Sequence, residues 1–207
     1  MSFRRRFGPG DRRELQRERV YRGYFAIDRV TVEHRLFGGG WSGPIEREVF
    51  ERGDAVGVLP YDPVGDAFVL IEQFRAGASR DPESPWMLEL VAGIVEDGEA
   101  DEDVVRREAA EEAGCTLGRL EPVASYYPSA GACSEHVRLF CGEALSDGAG
   151  AVHGLDDEHE DILVHRLSRG EVLELLSDGQ INNGHTLVAL QWFAIHGERL
   201  RARWGGG

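Results

Sequence analysis

The stretch Gly93-Ile94-Val95-Glu96-Asp97-Gly98-Glu99, followed after seven residues by Arg107-Glu108-Ala109-Ala110-Glu111-Glu112-Ala113-Gly114-Cys115, holds the densest pattern in the chain. Residues 101–113 read as a helix, stopped by Gly114, a residue suited to the left-handed conformation that closes helices. On such a helix Glu108, Glu111 and Glu112 stand at i, i+3 and i+4, so the three carboxylates share one face. Like charges at that spacing destabilise a helix unless something positive sits beside them. Hard carboxylate oxygens converging on one point suit Mg²⁺ or Mn²⁺ rather than zinc. Gly93 lets the backbone approach that point, and Glu99 is placed to pair with Arg107 and fasten the loop to the helix.

The charge distribution agrees with this reading. The 207 residues carry a formal charge of −14, and all 23 cations are arginine. A chain without lysine has neither a Schiff-base amine nor a phosphate-loop lysine. Its acidic balance speaks against a general nucleic-acid binder. Nine acids against two arginines lie between Glu96 and Glu112, and Asp156-Asp157-Glu158-His159-Glu160-Asp161 adds five more. So dense a run is either a solvated face or a cation site. Composition alone favours the former, and spacing has to decide.

The remaining chain is ordinary in composition, with 42% hydrophobic and 29% charged residues, enough for a packed core. No apolar stretch is long enough for a membrane span, and the Arg-rich start lacks the apolar core of a secretory signal. Three scattered cysteines make neither a disulfide framework nor a zinc site, so a cytoplasmic location is expected. Residues 1–19 read as a mobile arm or frayed helix. Strand signals follow at 24–27, 30–34, 45–50, 55–59 and 67–74, then a mixed apolar stretch at 84–94. After the helix come strands near 121–127, 137–143 and 161–167, and helices at 169–177 and 186–200. Strands first, one helix in the middle and helices last indicate α+β layers rather than a Rossmann alternation.

The spacing of the opening motif resembles the Nudix box, G-x5-E-x7-R-E-U-x-E-E-x-G-U, with Ala109 and Cys115 at the two bulky aliphatic positions. The resemblance extends to Phe50-Glu51-Arg52-Gly53, Ile71-Glu72-Gln73-Phe74-Arg75, Pro85-Trp86-Met87-Leu88-Glu89 and Val91-Ala92-Gly93. With the stretch 154–162 and Ala189-Leu190-Gln191-Trp192, these look like the bacterial dimeric ADP-ribose pyrophosphatases. That likeness implies mixed β-sheets sandwiched by helices (an α/β/α sandwich) with an N-terminal β-strand arm. Residues 1–60 would form the dimerising arm, open to exchange between subunits, and 61–207 the catalytic domain. It also implies a metal-dependent hydrolase that splits ADP-ribose into AMP and ribose 5-phosphate.

Carried over from the family, the Ala92 carbonyl, Glu108 and Glu112 would hold Mg²⁺, with Mn²⁺ as a substitute. Glu111 would orient a ligand or hold a water-mediated contact. From the acidic loop, Glu158 would be the general base and Glu160 a further ligand, the two roles being open to exchange. Arg52 and Arg75 would bind the diphosphate, since guanidinium forks match its oxygens. Tyr24 and Phe25, in the N-terminal strands, would cross a homodimer to stack on adenine, and Glu135 would contact substrate. The implied partner is a small nucleoside diphosphate sugar, without nucleic acid or membrane. One departure bears on substrate: the downstream place where the resembling enzymes carry proline is Ala130, with Pro128 two residues earlier. Alternatives are a GDP-mannose or other nucleoside-diphosphate-sugar pyrophosphatase with the same box, and a non-catalytic ADP-ribose sensor. The scattered cysteines exclude the zinc-bearing NADH branch, and Asp97–Asp101 lacks the glycine position of an EF-hand.

Overall fold

Asp28 is a carboxylate at a strand position where an apolar side chain belongs, and it organises the first part of the molecule. The computed structural model describes residues 3–155 and 159–205. They divide into two units, Met1–Gly53 with Tyr127–Glu135, and Asp54–Tyr126 with His136–Gly207. In the smaller unit β1 (Arg12–Arg22), β2 (Ala26–His34) and β3 (Ile45–Glu51) form an antiparallel sheet in the order β1-β2-β3. Ala26, Asp28 and Val30 alternate on the buried face of β2. Asp28, 2% exposed, accepts from Arg17 Nη1 at 2.9 Å and Arg19 Nε at 2.6 Å. These two guanidinium groups hold its carboxyl down at about 2.

Two expectations are corrected here. Residues 12–22 are a strand, not part of a mobile arm or frayed helix. They carry no apolar alternation and are exposed throughout, and β1 is instead tied to β2 by arginine pairs to a partner the local sequence does not contain. The segments 24–27 and 30–34 are not two strands: one strand runs from Ala26 to His34, its continuity masked by Asp28. Tyr24 and Phe25 consequently sit in the connection between β1 and β2 rather than in a strand.

The larger unit is built on an eight-stranded mixed sheet. Its main path is β10 (Val152–His153), β11 (Ile162–Ser168), β5 (Ala67–Phe74), β4 (Ala55–Asp62), β9 (Val137–Ala144) and β8 (Leu117–Tyr126). β6 (Trp86–Glu89) pairs with β5, and β7 (Val91–Ile94) with β4. β4 and β9 are parallel; the other pairs are antiparallel. Strand periodicity sorts the core into two layers. Val56, Val58, Val69 and Ile71 face α1 (Asp101–Ala113), packing with Val104, Val105 and Ala109. Leu59, Tyr61, Phe68 and Leu70 face the other way, toward Leu190 and Phe193 of α3 (Gly184–Trp204) and Val172 of α2 (Arg169–Ser177). Helices therefore cover both faces of this sheet, an α+β architecture. No described helix is long and apolar enough to cross a membrane.

Candidate active site

Helix α1 begins with Asp101, Glu102 and Asp103, which favour the positive end of its dipole. It ends at Gly114, whose φ of 55° permits the turn that returns Cys115 N–H to the Ala109 carbonyl at 2.8 Å. Val104, Val105, Ala109 and Ala113 bury one stripe of the helix, and Glu112 lies in that stripe at 4% exposure. A glutamate there needs a donor, and Ala92 N–H on β7 reaches its Oε2 at 3.3 Å. Beside it the Glu108 carboxylate presses against the backbone of Gly93, occupying the space a Cβ would take. Any other residue at 93 would displace Glu108.

Arg107 gathers the outer carboxylates. Its Nη1 lies 3.0 Å from both Glu108 Oε1 and Glu111 Oε2, and its Nη2 lies 3.9 Å from Glu99 Oε1. The expected Glu99–Arg107 pair is thus present, as the longest arm of this fan. Glu99 also accepts from Glu96 N–H at 2.9 Å, which closes the loop before the helix. Glu160 approaches from the chain after β10 and accepts from Leu155 N–H at 3.2 Å. Gly154, at φ 103°, lies against Glu160 and donates its N–H to the Glu111 carbonyl at 3.4 Å. Glu158 lies outside the described residues.

Burial first, and the charges of Glu108 and Glu160 next, push the Glu112 carboxyl up to about 8. Burial also raises Glu108, against the pull of Arg107. Among the described residues no group of three or more His, Cys, Asp or Glu stands ready to hold a metal ion. The reason is visible in the contacts: each carboxylate has turned to a local donor, Glu108 to Arg107, Glu112 to Ala92 N–H, Glu160 to Leu155 N–H. A hard divalent cation nevertheless fits this set. All the donors are oxygens, the glycine leaves room for one of them, and the mutual repulsion of Glu108, Glu112 and Glu160 is what a cation would relieve.

Arg75 lies close enough for its charge to act on Glu112. Its side edge is held by Glu89, with Nε at 2.9 Å and Nη2 at 2.8 Å from the same carboxylate oxygen. Glu89 is the residue that sequence reasoning passed over; the available signal was a glutamate ending the apolar run Met87-Leu88. Four other candidates meet in the smaller unit. Arg52 Nη1 is 3.4 Å from Glu135 Oε1, and its guanidinium lies over the Phe25 ring at 5.4 Å. Phe25 packs edge-on against Tyr24 and Phe50, with centroids at 4.7 and 5.3 Å. The candidates therefore form two sets, Ala92, Glu108, Glu111, Glu112, Glu160 and Arg75 in one unit and Tyr24, Phe25, Arg52 and Glu135 in the other.

Residues 51–196 match the NUDIX domain family. Over 198 residues the chain is 46% identical to an ADP-ribose pyrophosphatase of Escherichia coli, covering 96% of this chain and 95% of that one. A second ADP-ribose pyrophosphatase, from Haemophilus influenzae, is 41% identical over 207 residues, covering 99% and 95%. A GDP-mannose pyrophosphatase of Pectobacterium atrosepticum is 35% identical over 178 residues, covering 84% and 89%. The crystal structure of an ADP compounds hydrolase superposes with a TM-score of 0.70 at 23% identity, covering 94% and 96%, and so shares the fold.

An acid whose pKa is raised by folding binds its proton more tightly folded than unfolded. The contribution of Glu112 to stability is therefore complete below its ordinary value near 4.5 and is lost as pH rises toward about 8. In chelator, Glu112→Gln should melt with the parent at the bottom of that window and above it at the top. Adding a divalent cation should raise the parent's melting temperature most at the top. Parallel melting curves for parent and variant across the window would contradict this account of the buried carboxylate.

Proposed function

The chain belongs to the NUDIX family, and we propose that within it the protein works as an ADP-ribose pyrophosphatase, releasing AMP and ribose 5-phosphate. The observation that carries the reading is likeness to enzymes of that name over nearly the whole chain, together with an intact box whose glutamates converge on α1 and β7. In the proposal the Ala92 carbonyl, Glu108, Glu112 and Glu160 hold Mg²⁺, with Mn²⁺ able to replace it. A bound divalent cation supplies charge neutralisation on the diphosphate.

The chain's own groups supply the rest. Arg75 and Arg52 bind diphosphate oxygens, and Arg75 does so with its plane already set by Glu89. Water attacks one phosphorus, its proton passes to Glu158, and the bridging oxygen leaves on the other phosphate. Glu111, held by Arg107, orients the neighbouring carboxylates. Tyr24 and Phe25 present aromatic faces for adenine, with Glu135 holding Arg52 in place beside them. A second reading, hydrolysis of GDP-mannose, is supported by the 35% identical relative and by Ala130 in place of the usual proline.

An assay of ADP-ribose, GDP-mannose, NADH and diadenosine polyphosphates with Mg²⁺ or Mn²⁺ should show the highest kcat/KM for ADP-ribose, and no turnover in chelator. Faster cleavage of GDP-mannose would decide for the second reading. Glu158→Gln should depress kcat by roughly two to four orders of magnitude with little change in KM, as removal of a general base does. Glu160→Gln should instead raise the metal concentration needed for half-maximal rate. If both variants turn over like the parent, the base lies elsewhere, with Glu111 the first place to look.

The proposal includes a homodimer in which each site borrows the partner subunit's Tyr24 and Phe25. Its support is β1, an edge strand exposed along all eleven residues, including Leu15, Val20 and Tyr21. So long an open edge invites a covering chain. Light scattering should give twice the 22.9 kDa chain mass. A fully active monomer would contradict it.

A further inference from the structure

A chain of buried and half-buried hydrogen bonds runs from Arg75 to the start of α3, more than a hundred residues later in the sequence. Glu89 is 3% exposed at the end of β6. Its Oε2 takes the side edge of Arg75 and a longer contact from Gln73 Nε2 at 3.4 Å. Its Oε1 accepts from Asn183 Nδ2 at 2.6 Å. Asn183 is the N-cap of α3, and its Oδ1 accepts from His185 N–H at 3.0 Å and Thr186 N–H at 3.1 Å. The Thr186 hydroxyl donates to the same oxygen at 3.1 Å and accepts from Leu90 N–H at 3.0 Å.

Capping a helix uses only the side-chain oxygen, a duty that serine, threonine or aspartate performs as well. Asparagine adds an amide donor, and here that donor is spent on a buried carboxylate. A carboxylate at this depth needs a donor for each oxygen, and Asn183 supplies the one on Oε1. Two adjacent nitrogens of Arg75 on one oxygen of a fixed carboxylate set the plane of the guanidinium. Among the described residues no protein acceptor takes its third nitrogen, Nη1.

We propose that Asn183 and Glu89 are positioning residues, which act through Arg75 to aim its free edge at the substrate diphosphate. The inference rests on the assignment of Arg75 to that diphosphate. Thr186, donating to Asn183 and taking Leu90 N–H, holds the cap and the β6–β7 junction in one register.

The test is a double-mutant cycle of Asn183→Asp with Arg75→Ala, read as KM and kcat for ADP-ribose alongside melting temperature. Asn183→Asp keeps the capping oxygen, removes the donor and sets a carboxylate against Glu89. It should raise KM on the order of tenfold, the size expected for loss of a hydrogen bond to a charged group. In the Arg75→Ala background the same change should leave KM where Arg75→Ala put it. An equal KM effect in both backgrounds, or none in the parent, overturns the positioning role while leaving Arg75 in place. An Arg75→Ala variant with parental KM overturns the assignment of Arg75 itself, and the inference with it. If Asn183→Asp does not fold, Glu89→Gln, isosteric and uncharged, enters the same cycle with the same expectations.

Discussion

A buried carboxylate with two half-buried carboxylates beside it is the constraint on which the larger unit depends. Glu112 lies in the apolar stripe of α1 and accepts from the Ala92 backbone N–H, and Glu108 and Glu160 add like charge nearby. Such a cluster survives only if its surroundings hold it rigidly. Val104, Val105, Ala109 and Ala113 seat the helix on the sheet, and Gly114 ends it where the chain must turn away. Gly93 is required because β7 passes so close to Glu108 that no side chain fits between them. Arg107 draws Glu99, Glu108 and Glu111 together and so binds the preceding loop to the helix that follows it.

The smaller unit shows the same chemical group under the opposite influence. Asp28 is as well hidden as Glu112, yet its carboxyl is held at about 2 where that of Glu112 rises to about 8. Burial alone would raise both. At Asp28 the hydrogen bonds from Arg19 and Arg17 outweigh burial, whereas at Glu112 burial comes first and the charges of Glu108 and Glu160 add to it. An ion pair that satisfies itself ties two strands together. A cluster of like charges whose members each find one local donor keeps its mutual repulsion, and a hard divalent cation would relieve it. Glu89 belongs with Asp28 in this respect, since Arg75 and Asn183 between them satisfy both its oxygens.

Much of this was legible in the residues alone, and all of that was local. The helix 101–113 with its carboxylate face, the strand 67–74 and the helix 169–177 were each expected at the bounds the structure shows. Periodicity, caps and i, i+4 neighbours extend over a few residues, so the chain writes them out in order. The box, its glycine and the Glu99–Arg107 pair were legible for the same reason. The remainder depended on partners far away along the chain. Nothing in residues 12–22 marks a strand, because what makes them one is pairing along the next strand, where Asp28 takes Arg17 and Arg19. Nothing near Glu89 names its partner, because Asn183 lies 94 residues on. Only the folded sheet brings Glu160 to Glu108 and Glu112. A buried polar group is stabilised by whichever donor the tertiary structure delivers to it, and such a pairing leaves no period in the sequence.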